Sequence, residues 1–176
     1  MTVMLDAADY SAIESLRDAR SVEIRALRPE DRADFLSAAA RMSRESLQRR
    51  FFSAKRGFSE GEKAFFLNVD FDKHVAIAAL VEEAGRKAIV GGGRYVVIVP
   101  GQAEVAFAVI DAYQGQGIGS MLLRHLAAMA QAAGVKELIA EVLPENAPML
   151  KVFERSGFPM TVTRAGGLMH ITLRLN

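Results

Sequence analysis

Between Gln114 and Ser120 the chain reads Gln-Gly-Gln-Gly-Ile-Gly-Ser, three glycines at alternate positions where a strand gives way to a helix. Glycine permits positive φ and close approach of backbone to a ligand, while the first amides of the helix are unpaired beside the positive end of its dipole. Such a cradle suits an anion, most naturally a pyrophosphate. The competing reading is a strand-helix turn whose glycines serve packing alone. No Lys or Arg occurs from Tyr95 to Leu123, so amides rather than side-chain cations would hold the phosphates. The spacing is not the Gly-x-Gly-x-x-Gly of a dinucleotide-binding fold, and no Gly-Lys-Ser or Gly-Lys-Thr follows as in a phosphate-binding P-loop. Just upstream, Gln102 to Ile110 alternates, with Glu104, Ala106 and Ala108 on one face and Val105, Phe107 and Val109 on the other. A carboxylate followed on its own face by two minimal side chains leaves room for a substrate, the setting of a general base; a surface Glu without a role is the plain alternative.

These residues need elements to position them. Asp6 to Arg20 reads as a loose helical lead-in, Val22 to Leu27 as a half-buried strand, and Arg28-Pro29-Glu30-Asp31 as a turn into a helix. Two short helices are expected before residue 52, with Ser43 and Ser46 as possible N-caps, and a third from Ser59 to Val69. The period then changes: Val75 to Val81 and Ala88 to Val99 are strands joined by a hairpin turn at Glu83 to Arg86, and Gln102 to Ile110 is the third. A long amphipathic helix follows, with Ile118, Leu122, Leu126, Met129 and Ala133 on one face and Gly134 at its end. Val135 to Val142 is a strand, Asn146 to Arg155 a helix, and Phe158 to Val162 and Leu168 to Leu175 close the chain as strands. The expected fold is α/β (α+β): a mixed, mostly antiparallel sheet of about seven strands flanked by helices. Residues 21–176 would form one domain behind a lead-in at 1–20.

Composition narrows the partners. At 176 residues the chain suits one domain, and 51% hydrophobic with 24% charged residues excludes disorder as the main state. Lys and Arg number 22 against 21 Asp and Glu, so net charge gives no ground for nucleic acid as a partner. Without Cys there is no disulfide or thiolate chemistry, and His74, His125 and His170 fit no zinc spacing, so no metal is expected. The longest apolar run, Val75 to Val81, is far below the roughly 20 residues of a membrane span, and Asp6 and Asp9 stand where a signal peptide would be basic then apolar. A cytoplasmic location is expected, with no membrane partner; oligomeric state is not encoded.

From Ala103-Glu104-Val105-Ala106-Phe107 through Gln114 to Gly119, then Asn146-Ala147-Pro148-Met149 and Gly157-Phe158, the chain resembles the GNAT superfamily of acyl-CoA-dependent N-acetyltransferases. The motif Arg/Gln-x-x-Gly-x-Gly/Ala is matched by Gln114, Gly117 and Gly119. Within the superfamily, Leu16-Arg17-Asp18, Arg50-Phe51-Phe52 and Val90-Gly91-Gly92-Gly93-Arg94-Tyr95 are most similar to the bacterial protein-lysine acetyltransferase (Pat-type) branch. The resemblance implies acetyl-CoA as cosubstrate and an amine acceptor, a protein lysine or a small amine, or else a non-catalytic acyl-CoA-binding module. It implies that backbone groups of Ala108, Val109 and Ile110 hold the acetyl carbonyl and pantetheine, the Ala108 amide stabilising the oxyanion. It further implies that Gln114, Gly115, Gln116, Gly117, Ile118, Gly119 and Ser120 wrap the pyrophosphate, that Asn146 and Met149 meet the pantetheine arm, and that Glu104 is the catalytic base.

Two departures stand out. Many relatives carry a Tyr as general acid where this chain has Phe153, leaving the proton donor unassigned, and relatives favour Arg or Lys where Gln114 and Gln116 are neutral. Either affinity for the pyrophosphate is lower, or a cation comes from elsewhere, such as Arg124 or Lys151. For the acceptor, Arg41, Arg44, Arg49, Arg50, Lys55 and Arg56 make a locally basic stretch, and Phe51, Phe52, Phe65 and Phe66 line a groove or simply fill core.

Overall fold

A computed structural model describes residues 6–51 and 59–175; Phe52, Lys55 and Arg56 lie outside the described residues. Eight strands form one sheet: β1 (Ser11–Ser15), β2 (Ser21–Ala26), β3 (His74–Glu83), β4 (Arg86–Val99), β5 (Gln102–Val109), β6 (Glu137–Val142), β7 (Met160–Ala165) and β8 (Leu168–Arg174), in the order β1-β2-β3-β4-β5-β6-β8-β7. Every neighbouring pair is antiparallel except β5 with β6. The helices are α1 (Arg32–Ala40), α2 (Arg44–Phe51), α3 (Glu60–Leu67), α4 (Ile118–Ala132) and α5 (Ala147–Glu154).

Local chemistry explains most boundaries. Pro29 opens the turn into α1, the Ser43 hydroxyl accepts the Ser46 amide at the start of α2, and Ser59 and Glu62 form a reciprocal capping box on α3. Ala84 and Gly85, both with positive φ, make the tight turn between β3 and β4. α4 buries Ile118, Leu122, Leu126 and Met129 as expected, but it ends at Ala132; Ala133 is the exposed C-cap and Ala130 takes the inward place. α4 lies so close to the sheet that a β-carbon on Gly93 would stand 2.8 Å from both Leu126 Cδ1 and Phe107 Cβ.

The helical lead-in is overturned, and the sheet has eight strands rather than about seven. Ser11–Ser15 is an edge strand paired with β2, Ala12 opposite Ile24 and Glu14 opposite Val22. Its half-buried positions are Ala12 and Glu14, while Ile13 is 67% exposed, so hydrophobic alternation is missing. An ionic contact replaces it: Glu14 accepts hydrogen bonds from Arg124 and the His125 ring, and Tyr10 bonds the other His125 nitrogen.

Candidate active site

β5 and β6 run parallel in register only from Gln102–Glu137 to Glu104–Ile139, and past Glu104 the two strands share no ladder. A cleft of about 350 Å³ opens there, bordered by β5, β6, the start of α4 and α5. Backbone parity decides which groups face it. The Ile110 amide donates to Val90 O on β4, and Ala108 O points at β4, 3.0 Å from where a β-carbon of Gly91 would stand. Alternate residues share a direction, so the main-chain groups of Phe107 and Val109 face the cleft. This corrects the expectation for Ala108 and Ile110: their amides are turned into the β4 ladder, and only Val109 of that trio offers its amide to the opening. Ile110 does not border the cleft at all.

At the mouth, Gly115 and Gly117 have φ of 77° and 91°, and Gly117 serves as the N-cap of α4 with no side-chain cap. An added β-carbon at either would meet nothing within 4 Å, so this turn is open rather than sealed. The amides of Ile118, Gly119 and Ser120 therefore point outward from an uncapped 15-residue helix with no acidic residue in its first turn. The neutral side chains at the motif's first and third positions are engaged within the protein. Gln114 Nε2 donates to Val109 O at 2.9 Å and Ser46 Oγ at 3.1 Å, tying the end of β5 to α2. Gln116 Oε1 accepts from Arg20 Nη2 at 3.3 Å and does not border the cleft. The remaining expected residues, Glu104, Ala108, Val109, Gln114, Gly115, Gly117, Ile118, Gly119, Ser120, Asn146 and Met149, all border it.

Glu104 is exposed and shares the cleft with the glycine turn. Asn146 is buried and caps α5, its side-chain oxygen accepting the Met149 amide at 3.4 Å. Phe153, where a general-acid Tyr would stand, is 2% exposed and packs on Phe107 with ring centroids 5.6 Å apart. Tyr113 borders the cleft but its hydroxyl donates to Glu83 at 2.7 Å, and that bond together with burial raises its pKa. Neither aromatic residue supplies a free acid.

Of the two expected compensating cations, Lys151 borders the cleft, whereas Arg124 is held by Glu14 and does not. Arg17, Arg49 and Arg155 also border it. Arg49 is expected from sequence only in the basic acceptor-side stretch, and Arg17 and Arg155 are not expected as cations of the site, because they come from a loop after β1 and from the end of α5. The basic stretch is not one face: Arg41 pairs with Glu83 at 2.8 Å, Arg49 with Glu45 at 2.9 Å, and Arg50 borders two cavities. Phe66 is buried, whereas Phe65 is half exposed and stacks on His74. Among the described residues no group of acidic or His side chains is placed to hold a metal, and no helix is long and apolar enough to cross a membrane.

The model of the GNAT acetyltransferase family matches residues 40–158, the span that holds the cleft's described lining except Arg17. The chain belongs to the GNAT family. It is 33% identical over 147 residues to an acetyltransferase of Pseudomonas aeruginosa, covering 83% of this chain and 79% of that one. It is 32% identical over 136 residues to the acetyltransferase Pat of Mycolicibacterium smegmatis, covering 76% of this chain but only 40% of Pat. Among solved structures, the GNAT domain of S. lividans PAT is 32% identical with a TM-score of 0.84, covering 93% of this chain and 96% of that domain. The protein is accordingly an acetyl-CoA-dependent N-acetyltransferase of the GNAT family. Its cleft fits that cosubstrate: an uncapped helix N-terminus suits a pyrophosphate, and an unpaired β5 edge suits the amide-bearing pantetheine arm.

Proposed function

We propose that this GNAT enzyme acetylates a primary amine by direct transfer, with Glu104 as general base and a protein lysine side chain as acceptor. The observation that carries the reading is that Glu104 is the last β5 residue paired with β6, at the point where the two strands part, and shares one cleft with the open amide turn at Gly115–Ser120. Likeness to Pat-type domains supports a protein lysine. Acetyl-CoA supplies the activated acetyl group. Glu104 takes a proton from the amine, directly or through a water; the N–C bond forms as the C–S bond breaks, and the sulfur leaves to be protonated.

The energetics explain why Phe153 is tolerable. An alkylamine of pKa about 10.4 costs about 4.6 kcal/mol to deprotonate at pH 7, whereas a thiol of pKa about 8.5 needs only about 2 kcal/mol to leave as thiolate. The base contributes more than the acid would. The cleft-facing Val109 amide, rather than that of Ala108, is the donor for the carbonyl oxygen as charge develops on it.

The test is Glu104→Gln. It should lower turnover at pH 7 by about 10² or more while leaving acetyl-CoA affinity intact, and the deficit should shrink as pH approaches the amine pKa, where the amine needs no base. Undiminished turnover near pH 7 excludes Glu104 as the base. Release of free thiol that depends on the amine separates an enzyme from a module that only binds acyl-CoA.

A further inference from the structure

On the Glu104 face of β5, a second cavity of about 90 Å³ lies between the sheet and helices α1, α2 and α3. Met42, Arg50, Ala106 and Ala108 border both cavities, so the second adjoins the cleft in which acetyl transfer is placed. Among the described residues its walls are apolar apart from two side chains, Arg50 and Arg94. Arg94 is 8% exposed, and its Nη1 donates to Phe66 O at 3.1 Å and meets His74 Nε2 at 2.8 Å. Among the described residues its Nε and Nη2 have no hydrogen-bond partner and neither atom is fully buried; Arg94 lines the cavity, with its guanidinium over the Phe66 ring, 4.7 Å from the centroid. Arg50 is half-buried over the Phe51 ring and makes no hydrogen bond with the described residues. No carboxylate of the described residues lies within 4 Å of either guanidinium.

Burial pushes Arg94 down to about 9, with the nearby Arg50 adding to it, and burial pushes Arg50 down to about 10 against the opposing field of Glu104. Both stay charged at pH 7. Arg50 links the two spaces: it borders the main cleft together with Glu104 and the second cavity together with Arg94. Register agrees: Arg94 pairs with Ala106, two residues from Glu104 on the same face of β5. Two like charges in an apolar cavity are unfavourable without a counter-charge. Anchoring α3 accounts for Arg94 Nη1 and for the guanidinium face over Phe66, and says nothing of Nε, Nη2 or Arg50.

We propose that this cavity seats an anion carried by the acceptor: the amine this enzyme acetylates bears a carboxylate or similar oxyanion, held by Arg50 and Arg94 while the amine stands at Glu104. The inference rests on the acyl-transfer reading above and adds the acceptor's second functional group. That oxyanion has two sources, the acceptor's own carboxylate in an amino acid or an acidic side chain beside a protein lysine.

Matched acceptors test it. An α-amino acid is set against its decarboxylated amine, and a lysine peptide flanked by Glu against the same peptide with Gln, following thiol release from acetyl-CoA. The anionic member of at least one pair should be favoured about tenfold or more in kcat/KM, and whichever pair shows it identifies the source. The ratio should fall toward one in Arg50→Gln, the variant that leaves the bond from Arg94 to Phe66 O in place, and in Arg94→Gln where it folds. Glutarate, followed by thermal shift, should stabilise the wild type and not Arg50→Gln. Acetylation of both members of each pair at equal efficiency overturns the anion seat and leaves acetyl transfer standing. Glutarate stabilisation that needs Arg50, with no amine acetylated, keeps the seat and removes the acyl-transfer reading; no glutarate effect overturns the seat.

Discussion

Replacing Gly93 by Ala tests how the sheet and α4 are held together around the cleft. The added β-carbon would sit 2.8 Å from Phe107 Cβ and 2.8 Å from Leu126 Cδ1, and 3.3 Å from Ala106 O. Ordinary carbon contacts begin near 3.5 Å, so about 0.7 Å must be found on two sides at once. The Leu126 methyl swings aside at small cost, but Phe107 Cβ is fixed to β5, the strand that forms one wall of the cleft. Overpacking of this kind costs about 1–3 kcal/mol, offset by about 0.4–1 kcal/mol from the stiffer unfolded chain. A net loss of about 1–2 kcal/mol is expected, a fall in melting temperature of about 2–8 °C for a chain of this size. Gly61→Ala is the control. In α3 its β-carbon would find only Ser59 Oγ at 3.9 Å, and it should raise stability by about 0.5–1 kcal/mol. Thermal unfolding by circular dichroism reads both. A Gly93→Ala protein that melts at or above the wild type refutes the claim that this glycine exists for close helix approach.

Other perturbations probe separate features. Gly117→Ala places a side chain at φ 91°, a conformation costing about 1–2 kcal/mol outside glycine; relaxation of the turn should weaken coenzyme A binding about 5- to 30-fold by calorimetry, with little change in melting temperature. Asp31 sits in a buried pair with Arg25, at 2.8 and 2.9 Å. Burial opposes its ionisation, but the Arg25 hydrogen bonds and the Arg28 amide prevail and lower its pKa. Because the folded pKa is the lower one, its contribution is whole above the unfolded carboxylate value near 3.9 and is lost as pH falls through the folded value. Asp31→Asn should therefore be less stable at pH 7 yet lose less on acidification below about pH 4, as denaturant titrations would show. Arg25→Gln leaves the buried Asp31 carboxylate with only the Arg28 amide, while Glu23 keeps Lys87, and should cost about 3–5 kcal/mol at pH 7 by the same measurement.

The parts of the fold visible in the sequence are those whose signal is local. α4 has its apolar stripe, β5 its strict alternation, α3 the Ser59–Glu62 capping box and the β3–β4 turn its Ala84-Gly85. β1 was hidden because its half-buried Glu14 satisfies itself with Arg124 and His125, more than a hundred residues away. The glycine turn and Glu104 are legible for the same local reason. Which amide faces the cleft is not, since that follows from the Ile110 bond to Val90, a choice made by the neighbouring strand. Arg94 follows three glycines in a strand, and only Phe66 and His74, brought in from α3 and the start of β3, show that it is buried.

The groups that face the cleft and the adjoining cavity share one property: among the described residues the fold leaves part of each one's bonding capacity unused. β6 withdraws its ladder from β5 after Ile139, no side chain caps α4, and no carboxylate answers Arg94. Where water reaches such groups, as at the open Gly115–Gly117 turn, the ligand-free protein loses little, because hydration replaces the missing bond. Where water is largely excluded, as around Arg94, the unanswered charge is a standing cost. The two settings should therefore behave differently on binding: a ligand at the turn exchanges one set of hydrogen bonds for another, whereas an anion at Arg94 relieves a destabilisation already present and raises thermal stability more for each contact made.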